Sequence, residues 1–497
     1  MFSKKFAFII LVAFSLGITG CKTGLLGGGE PPAQPTQPAA PAAPVSTDGV
    51  RTSYADVVEK TSPAVVRIEA DHKSKAQPMQ FPFGKDDLFR QFQQQMPRQG
   101  QRAPIERGLG SGVLVSADGT ILTNFHVVDG AEKITVELSD NKTFDAKVIG
   151  SDQPSDLAVL KIEAQNMPFL TLGNSDNVRV GDIVLAIGNP LGIGQTVTAG
   201  IISAKGRRTG LSDGSFEDFL QTDAPINKGN SGGALVNLNG ELIGINSQIL
   251  SSDGGGGSIG IGFSIPSNMA KSVMEQLLKD GKVHRGMLGI NIQNISDDTA
   301  KALELKDTSG VLVSNVQSGS AADKAGVKRG DIVTAINGEK IEDSNVLRNK
   351  VAGTPPGTAI KLTIVRDGNP QEVTATLDEF SGDAKKGPNQ QGDDDNAPAS
   401  GSENGKLGIT LQPLTPQVAK QLGISSDTGG LVVTDIDPNG PAAEEGISRG
   451  DVILEVNKQQ VNSVADVQAA LDKSGGKPVL LLVNSRGRTV YLTVRPE

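Results

Sequence analysis

Residues 229–233 read Gly229-Asn230-Ser231-Gly232-Gly233. A serine flanked this densely by glycine offers more than a turn. Gly229 lets the backbone bend sharply, and Gly232 and Gly233 clear space beside the Ser231 hydroxyl. Such a bend can aim the amide N–H groups of Gly229, Asn230 and Ser231 at one point, where a developing oxyanion would sit. A serine hydroxyl is a weak nucleophile alone, so this reading requires a base.

The chain has three histidines, His72, His126 and His284. His72 stands in Asp-His-Lys-Ser-Lys and His284 in Lys-Val-His-Arg-Gly, polar settings that predict solvated side chains. His126 follows a β-like run at 112–116, a turn at Asp118-Gly119 and a second run at 120–123. A histidine at the end of a buried hairpin is held rigidly, as a general base must be. A packed core histidine is the competing reading. Asp156 leads directly into the apolar run 157–162. A carboxylate there either caps the strand or accepts a histidine Nδ1–H, fixing the tautomer that leaves Nε2 free for Ser231. The order His126, Asp156, Ser231 is that of chymotrypsin-type double β-barrels and differs from the subtilisin and α/β-hydrolase orders.

Longer motifs surround each candidate. Thr123-Asn124-Phe125-His126-Val127-Val128, Asp156-Leu157-Ala158-Val159-Leu160, Ala186-Ile187-Gly188-Asn189-Pro190 and Gln221 through Leu235 resemble those of the HtrA/Deg (protease Do) family. The resemblance runs from about residue 50 to the C-terminus. It implies His126 as base, Asp156 as its orienter, Ser231 as nucleophile and the amides of 229–231 as the oxyanion site. It also implies trimers or multiples of trimers, cleavage after small aliphatic residues, and degradation of misfolded envelope proteins. A holdase chaperone or PDZ adaptor with incidental protease activity is the alternative.

Composition agrees with a mostly β protein. The 497 residues include 61 Gly and no Trp, and suffice for three domains. The net charge of −9 comes without a basic stripe interleaved with aromatics, which argues against nucleic acid as a partner. One Cys and three scattered His provide no metal-ligand spacing, and no cofactor is implied. That one Cys is informative. Lys4 and Lys5 precede an apolar run from Phe6 to Leu16, as in a secretory signal peptide (1–20). Ile18-Thr19-Gly20-Cys21 resembles a bacterial lipobox, which implies lipidation of Cys21 and a membrane anchor that does not span. Lys22 resembles the outer-membrane sorting pattern. Residues 21–49, rich in Gly, Pro and Ala, then form a flexible tether.

The protease domain is expected at 50–281, as a chymotrypsin-like double β-barrel. Within it, the Gln-rich stretch 71–107 reads as an insertion between strands, either disordered or reaching another subunit. The Gly-rich stretch 251–258 reads as a mobile loop beside the specificity pocket or as a plain hairpin loop. The C-terminal half repeats itself. Gly310-Val-Leu-Val-Ser-Asn-Val matches Gly430-Leu-Val-Val-Thr-Asp-Ile, and Gly326-Val-Lys-Arg-Gly-Asp-Ile-Val matches Gly446-Ile-Ser-Arg-Gly-Asp-Val-Ile. Helical patterns follow at 343–352 and 463–473. The copies resemble two PDZ domains, small β-barrels with helices, at 282–380 and 405–497. Their opening loops, Met287-Leu288-Gly289-Ile290 and Lys406-Leu407-Gly408-Ile409, are expected to receive peptide C-termini of unfolded or misfolded substrates. Arg285 and Lys406 either add positive charge there or are solvated. The polar linker 381–404 predicts disorder and is long enough to let the second PDZ domain move independently.

Overall fold

The computed structural model describes residues 53–73, 105–189, 194–209, 216–227, 229–249, 258–380, 402–422, 424 and 429–496. The leader 1–20, Cys21, the tether, most of the Gln-rich insertion, nearly all of 251–258 and the linker up to residue 401 lie outside them. Among the described residues no helix is long and apolar enough to cross a membrane.

Two six-stranded closed barrels come first. The first comprises β1 (Val65–Lys73), β2 (Ile105–Leu114), β3 (Thr120–Thr123), β4 (Lys133–Glu137), β5 (Thr143–Asp152) and β6 (Leu157–Ile162). The second comprises β7 (Ile183–Gly188), β8 (Thr196–Arg207), β9 (Phe219–Thr222), β10 (Ala234–Asn237), β11 (Leu242–Ile249) and β12 (Gly262–Pro266). In the second barrel β7 and β10 read as continuous apolar runs because both of their faces are buried. On β7, Leu185 and Ile187 join a core shared with the first barrel, while Val184 and Ala186 fall in a separate cluster. On β10, Ala234 and Val236 take the shared side and Leu235 the other. One core therefore welds the barrels along a seam, and helix Ser267–Asp280 buries Ala270, Val273 and Leu277 in it.

Each repeat then forms its own small sheet. The first has β14 (Ile290–Asn294), β15 (Val311–Val316), β16 (Ile332–Ile336), β17 (Glu339–Lys340), β18 (Ala359–Arg366) and β19 (Asn369–Thr376), beside a separate two-stranded pair of β13 (Gly286–Met287) and β20 (Asp378–Glu379). The second has β21 (Ser402–Asn404), β22 (Ile409–Pro413), β23 (Leu431–Ile436), β24 (Val452–Val456), β25 (Gln459–Gln460), β26 (Val479–Ser485) and β27 (Arg488–Val494). The expected helices stand at Ser344–Ala352 and Val464–Ser474. Asp343 caps the first, and a Ser463/Asp466 capping box starts the second.

The second repeat does not stand apart from the first, contrary to the expectation drawn from linker length. Ile295, Ala300, Leu312 and Ile332 pack in one cluster with Val432, Val452, Leu454, Leu480, Leu482 and Tyr491. Gln293 and the Tyr491 backbone exchange two hydrogen bonds of 2.8 Å. Arg495 pairs with Asp298 at 2.6 Å, and Arg329 pairs with Glu455. A long linker permits independent motion only where neither domain leaves an apolar face uncovered, and both do here.

Candidate active site

The site lies on the seam between the barrels. From the first barrel, β3 ends at Thr123, and His126 sits on the single helical turn Phe125–Val128. Asp156 closes the turn Gln153–Ser155 just before β6, in the left-handed conformation (φ 54°, ψ 41°). That conformation is uncommon for a residue other than glycine, and aspartate is among the few that tolerate it. It turns Asp156 so that both its backbone and its side chain grip the histidine segment. Its carbonyl oxygen accepts from Phe125 N (3.1 Å) and Asn124 Nδ2 (3.0 Å). Its carboxylate accepts from His126 N (3.1 Å), and both its oxygens lie 2.9 Å from His126 Nδ1. The His126 side chain is 48% exposed, so the imidazole is not sealed in the core.

From the second barrel comes the loop 229–233. Gly229 has φ 96° and Gly232 φ 82°, both left-handed. A Cβ at Gly232 would also lie 2.1 Å from the Ser111 carbonyl oxygen, so no other residue fits. Ser111 on β2 ties this loop to the first barrel. Its N–H donates to the Ser231 carbonyl (2.8 Å) and its hydroxyl to the Gly229 carbonyl (2.6 Å). The Thr123 hydroxyl donates to the Ser111 carbonyl (2.7 Å), linking the serine loop to the strand that ends before His126. Among the described residues the Ser231 hydroxyl makes no hydrogen bond.

The three-amide oxyanion expectation needs one correction. Asn230 N–H donates to the Asn227 carbonyl (3.0 Å) and so points away from any common centre. The turn that brings the loop round consumes this donor. The Gly229 and Ser231 amides meet no acceptor among the described residues.

The opening loops of both repeats share one construction. Gly289 and Gly408 are left-handed. The Leu288 and Leu407 carbonyls accept from Ala322 N (2.9 Å) and Ala442 N (3.2 Å). Lys406 pairs with Asp472 (2.6 Å) and holds that carboxyl below its usual range.

A trypsin-like peptidase domain matches residues 110–245, and PDZ domains match 286–377 and 432–485. The probable periplasmic serine endoprotease DegP-like of Chlamydia trachomatis is 42% identical over 459 residues, which cover 90% of this chain and 88% of that protein. The chain belongs to the DegP-like, HtrA-type family of serine endoproteases. The probable periplasmic serine protease do/HhoA-like of Haemophilus influenzae is 42% identical over 434 residues, 85% of this chain and 87% of that protein. Among solved structures, the HtrA-type protease AlgW with tripeptide superposes with a TM-score of 0.55 at 41% identity, covering 66% of this chain and 98% of that one. AlgW with decapeptide gives 0.53 at 40% identity, covering 66% and 99%.

Several residues that shape this HtrA-type site escape a sequence reading. Ser247 donates its hydroxyl to Asp156 Oδ2 (2.8 Å). Asn246 accepts from Gly232 N (2.7 Å) on its carbonyl and donates from its own N–H to the Gly233 carbonyl (2.9 Å). The available signal is two adjacent polar residues inside the apolar strand β11, both buried. Arg285 is the larger surprise. It adds no charge to a peptide loop but forms a buried bidentate pair with Asp152 (2.7 and 2.6 Å). Asp152 in turn accepts from Ser155 N (2.9 Å), building the turn that sets Asp156. Phe216 packs under the guanidinium, 4.7 Å from it. Nor is His284 free in solvent: its Nδ1 lies 2.7 Å from Glu379 Oε1, and this bond holds the Glu379 carboxyl below its usual range.

Arg285→Ala leaves the Asp152 carboxylate buried and unpaired. It should lower unfolding stability by about 3–5 kcal/mol, measured by urea denaturation. A loss under about 1 kcal/mol would mean that solvent already reaches this pair.

Proposed function

We propose that this chain is an ATP-independent endopeptidase of the periplasm that degrades misfolded or unfolded proteins. The carrying observation is the His126–Asp156 contact of 2.9 Å on the seam that also holds the Ser231 loop. In this reading Ser231 Oγ attacks the peptide carbonyl carbon while His126 Nε2 takes its proton. The Gly229 and Ser231 amides hold the oxyanion. His126 returns the proton to the leaving amine as the C–N bond breaks, giving an acyl-enzyme. Water, deprotonated by the same imidazole, then releases the acid and restores Ser231.

Recognition of exposed peptide C-termini falls to the PDZ part of the chain, and HtrA-type AlgW solved with a tripeptide and with a decapeptide supports peptide binding in this family. The periplasmic names of the relatives support the compartment. Cys21 carries lipid that tethers the enzyme to the outer membrane, and subunits associate as trimers or multiples of trimers. Exposed Val180, Ile183 and Ile201 supply apolar surface of the kind a neighbouring subunit covers.

One experiment tests catalysis and anchoring together. Protein extracted from membranes is treated with a fluorophosphonate and analysed by mass spectrometry. One adduct on the peptide containing Ser231 and a di- or triacylated Cys21 are expected. An unlabelled Ser231 in protein that still suppresses aggregation would replace the protease reading with that of a holdase. An unmodified N-terminus elsewhere would remove the anchor.

A further inference from the structure

The two PDZ domains differ in what their incoming chain does. In the first, Gly286 and Met287 pair with Glu379 and Asp378 of β20, which draws the chain away from β14. β14 is left as an edge strand: among the described residues its only strand partner is β15. In the second, the incoming chain folds back on the sheet. β21 pairs antiparallel with β22, setting Ser402 opposite Leu411, Glu403 opposite Thr410 and Asn404 opposite Ile409. The order β21-β22-β23 puts β21 on the edge that corresponds to the open edge of β14.

An extended peptide that adds to this edge with its C-terminus at the loop 406–409 must run antiparallel to β22 and finish beside Ile409. β21 has that direction and finishes beside Ile409. We infer that residues 402–404 occupy the peptide-accepting edge of the second PDZ domain as an intramolecular strand. That domain is closed to peptide ligands while the first is open.

Connection and tether fit this arrangement. Four residues, 405–408, join β21 to β22, a length common in hairpins. The left-handed Gly408 (φ 68°), the buried Leu407 and the Lys406–Asp472 pair fix the loop. A strand tethered so closely competes at an effective concentration on the order of millimolar, so a micromolar peptide does not displace it unaided.

The inference rests on the peptide-recognition reading of the PDZ domains and is tested without catalysis, in the full chain carrying Ser231→Ala. Two further variants open the edge. Glu403→Pro places proline within the paired strand; in the other, Ser402, Glu403 and Asn404 are all replaced by glycine. Decapeptides with an apolar C-terminal residue and a free carboxylate are titrated by calorimetry, with their C-terminal amides as control. Each opened variant is expected to bind one more carboxylate-bearing peptide per chain than the parent. Without peptide, its Ile409 and Leu411 amides should exchange hydrogen at least tenfold faster. No gained site, or no change in exchange in either variant, overturns the inference. A parent that binds no peptide at all defeats peptide recognition by the first domain, yet the gained site still reports on β21.

Discussion

On the proposed mechanism, in which nucleophile, base and orienting carboxylate act as one unit, Ser231→Ala is expected to lower kcat/KM for an unfolded protein substrate by about 10⁴-fold or more. The size of this loss follows from what alanine keeps. The amides of positions 229 and 231 remain, so the oxyanion stabilisation proposed for them survives and sustains a residual rate over water. The fold also survives. Ser231 is held through its backbone carbonyl by Ser111 N, and its hydroxyl bonds to nothing among the described residues. Stability should therefore stay within about 0.5 kcal/mol of the parent. The measurement is the initial rate of casein degradation, with thermal unfolding in parallel. A loss under tenfold with an unchanged melting temperature would remove Ser231 as nucleophile.

The sequence carried the barrels and the serine loop for different reasons. Chain order among three chemically distinct residues implied a double barrel, and the closed strand order of both halves agrees. Residues 120–123 and 157–162 emerged as strands because their short apolar runs and the turn residues that bound them are local properties. The 120-residue repeat was legible for the same reason. Partnership across long separations was not. Nothing near Ser247 in the chain points to Asp156, 91 positions away, and nothing near Arg285 points to Asp152, 133 positions away. A surface arginine and a buried one read alike until a carboxylate is found opposite. The same blindness made the second PDZ domain look free: Leu480, Leu482 and Tyr491 read as strand residues, with no sign of which neighbour covers them. Asn230 shows a subtler limit. The sequence placed three amides in one loop, but the turn spends the Asn230 N–H on the Asn227 carbonyl.

Asp156→Asn isolates the role of the orienting carboxylate and is expected to lower kcat by about 10⁴-fold. Asparagine keeps the left-handed backbone at φ 54° that alanine would strain, so the turn Gln153–Ser155 and the Asp156 carbonyl bonds are retained. What changes is the acceptor count. His126 N–H, His126 Nδ1 and the Ser247 hydroxyl converge on two carboxylate oxygens, and an amide offers one oxygen and one NH₂ group. An NH₂ group facing Nδ1 selects the imidazole tautomer that carries its proton on Nε2. That nitrogen can then no longer take the Ser231 proton. Ser247→Ala removes one donor and leaves both oxygens, so the tautomer is unaffected; a loss of about tenfold, or about 1.4 kcal/mol, is the expected scale. Single-turnover rates of the two variants separate the roles. If Asp156→Asn falls no further than Ser247→Ala, the carboxylate merely anchors the turn, and the tautomer of His126 is fixed by something else.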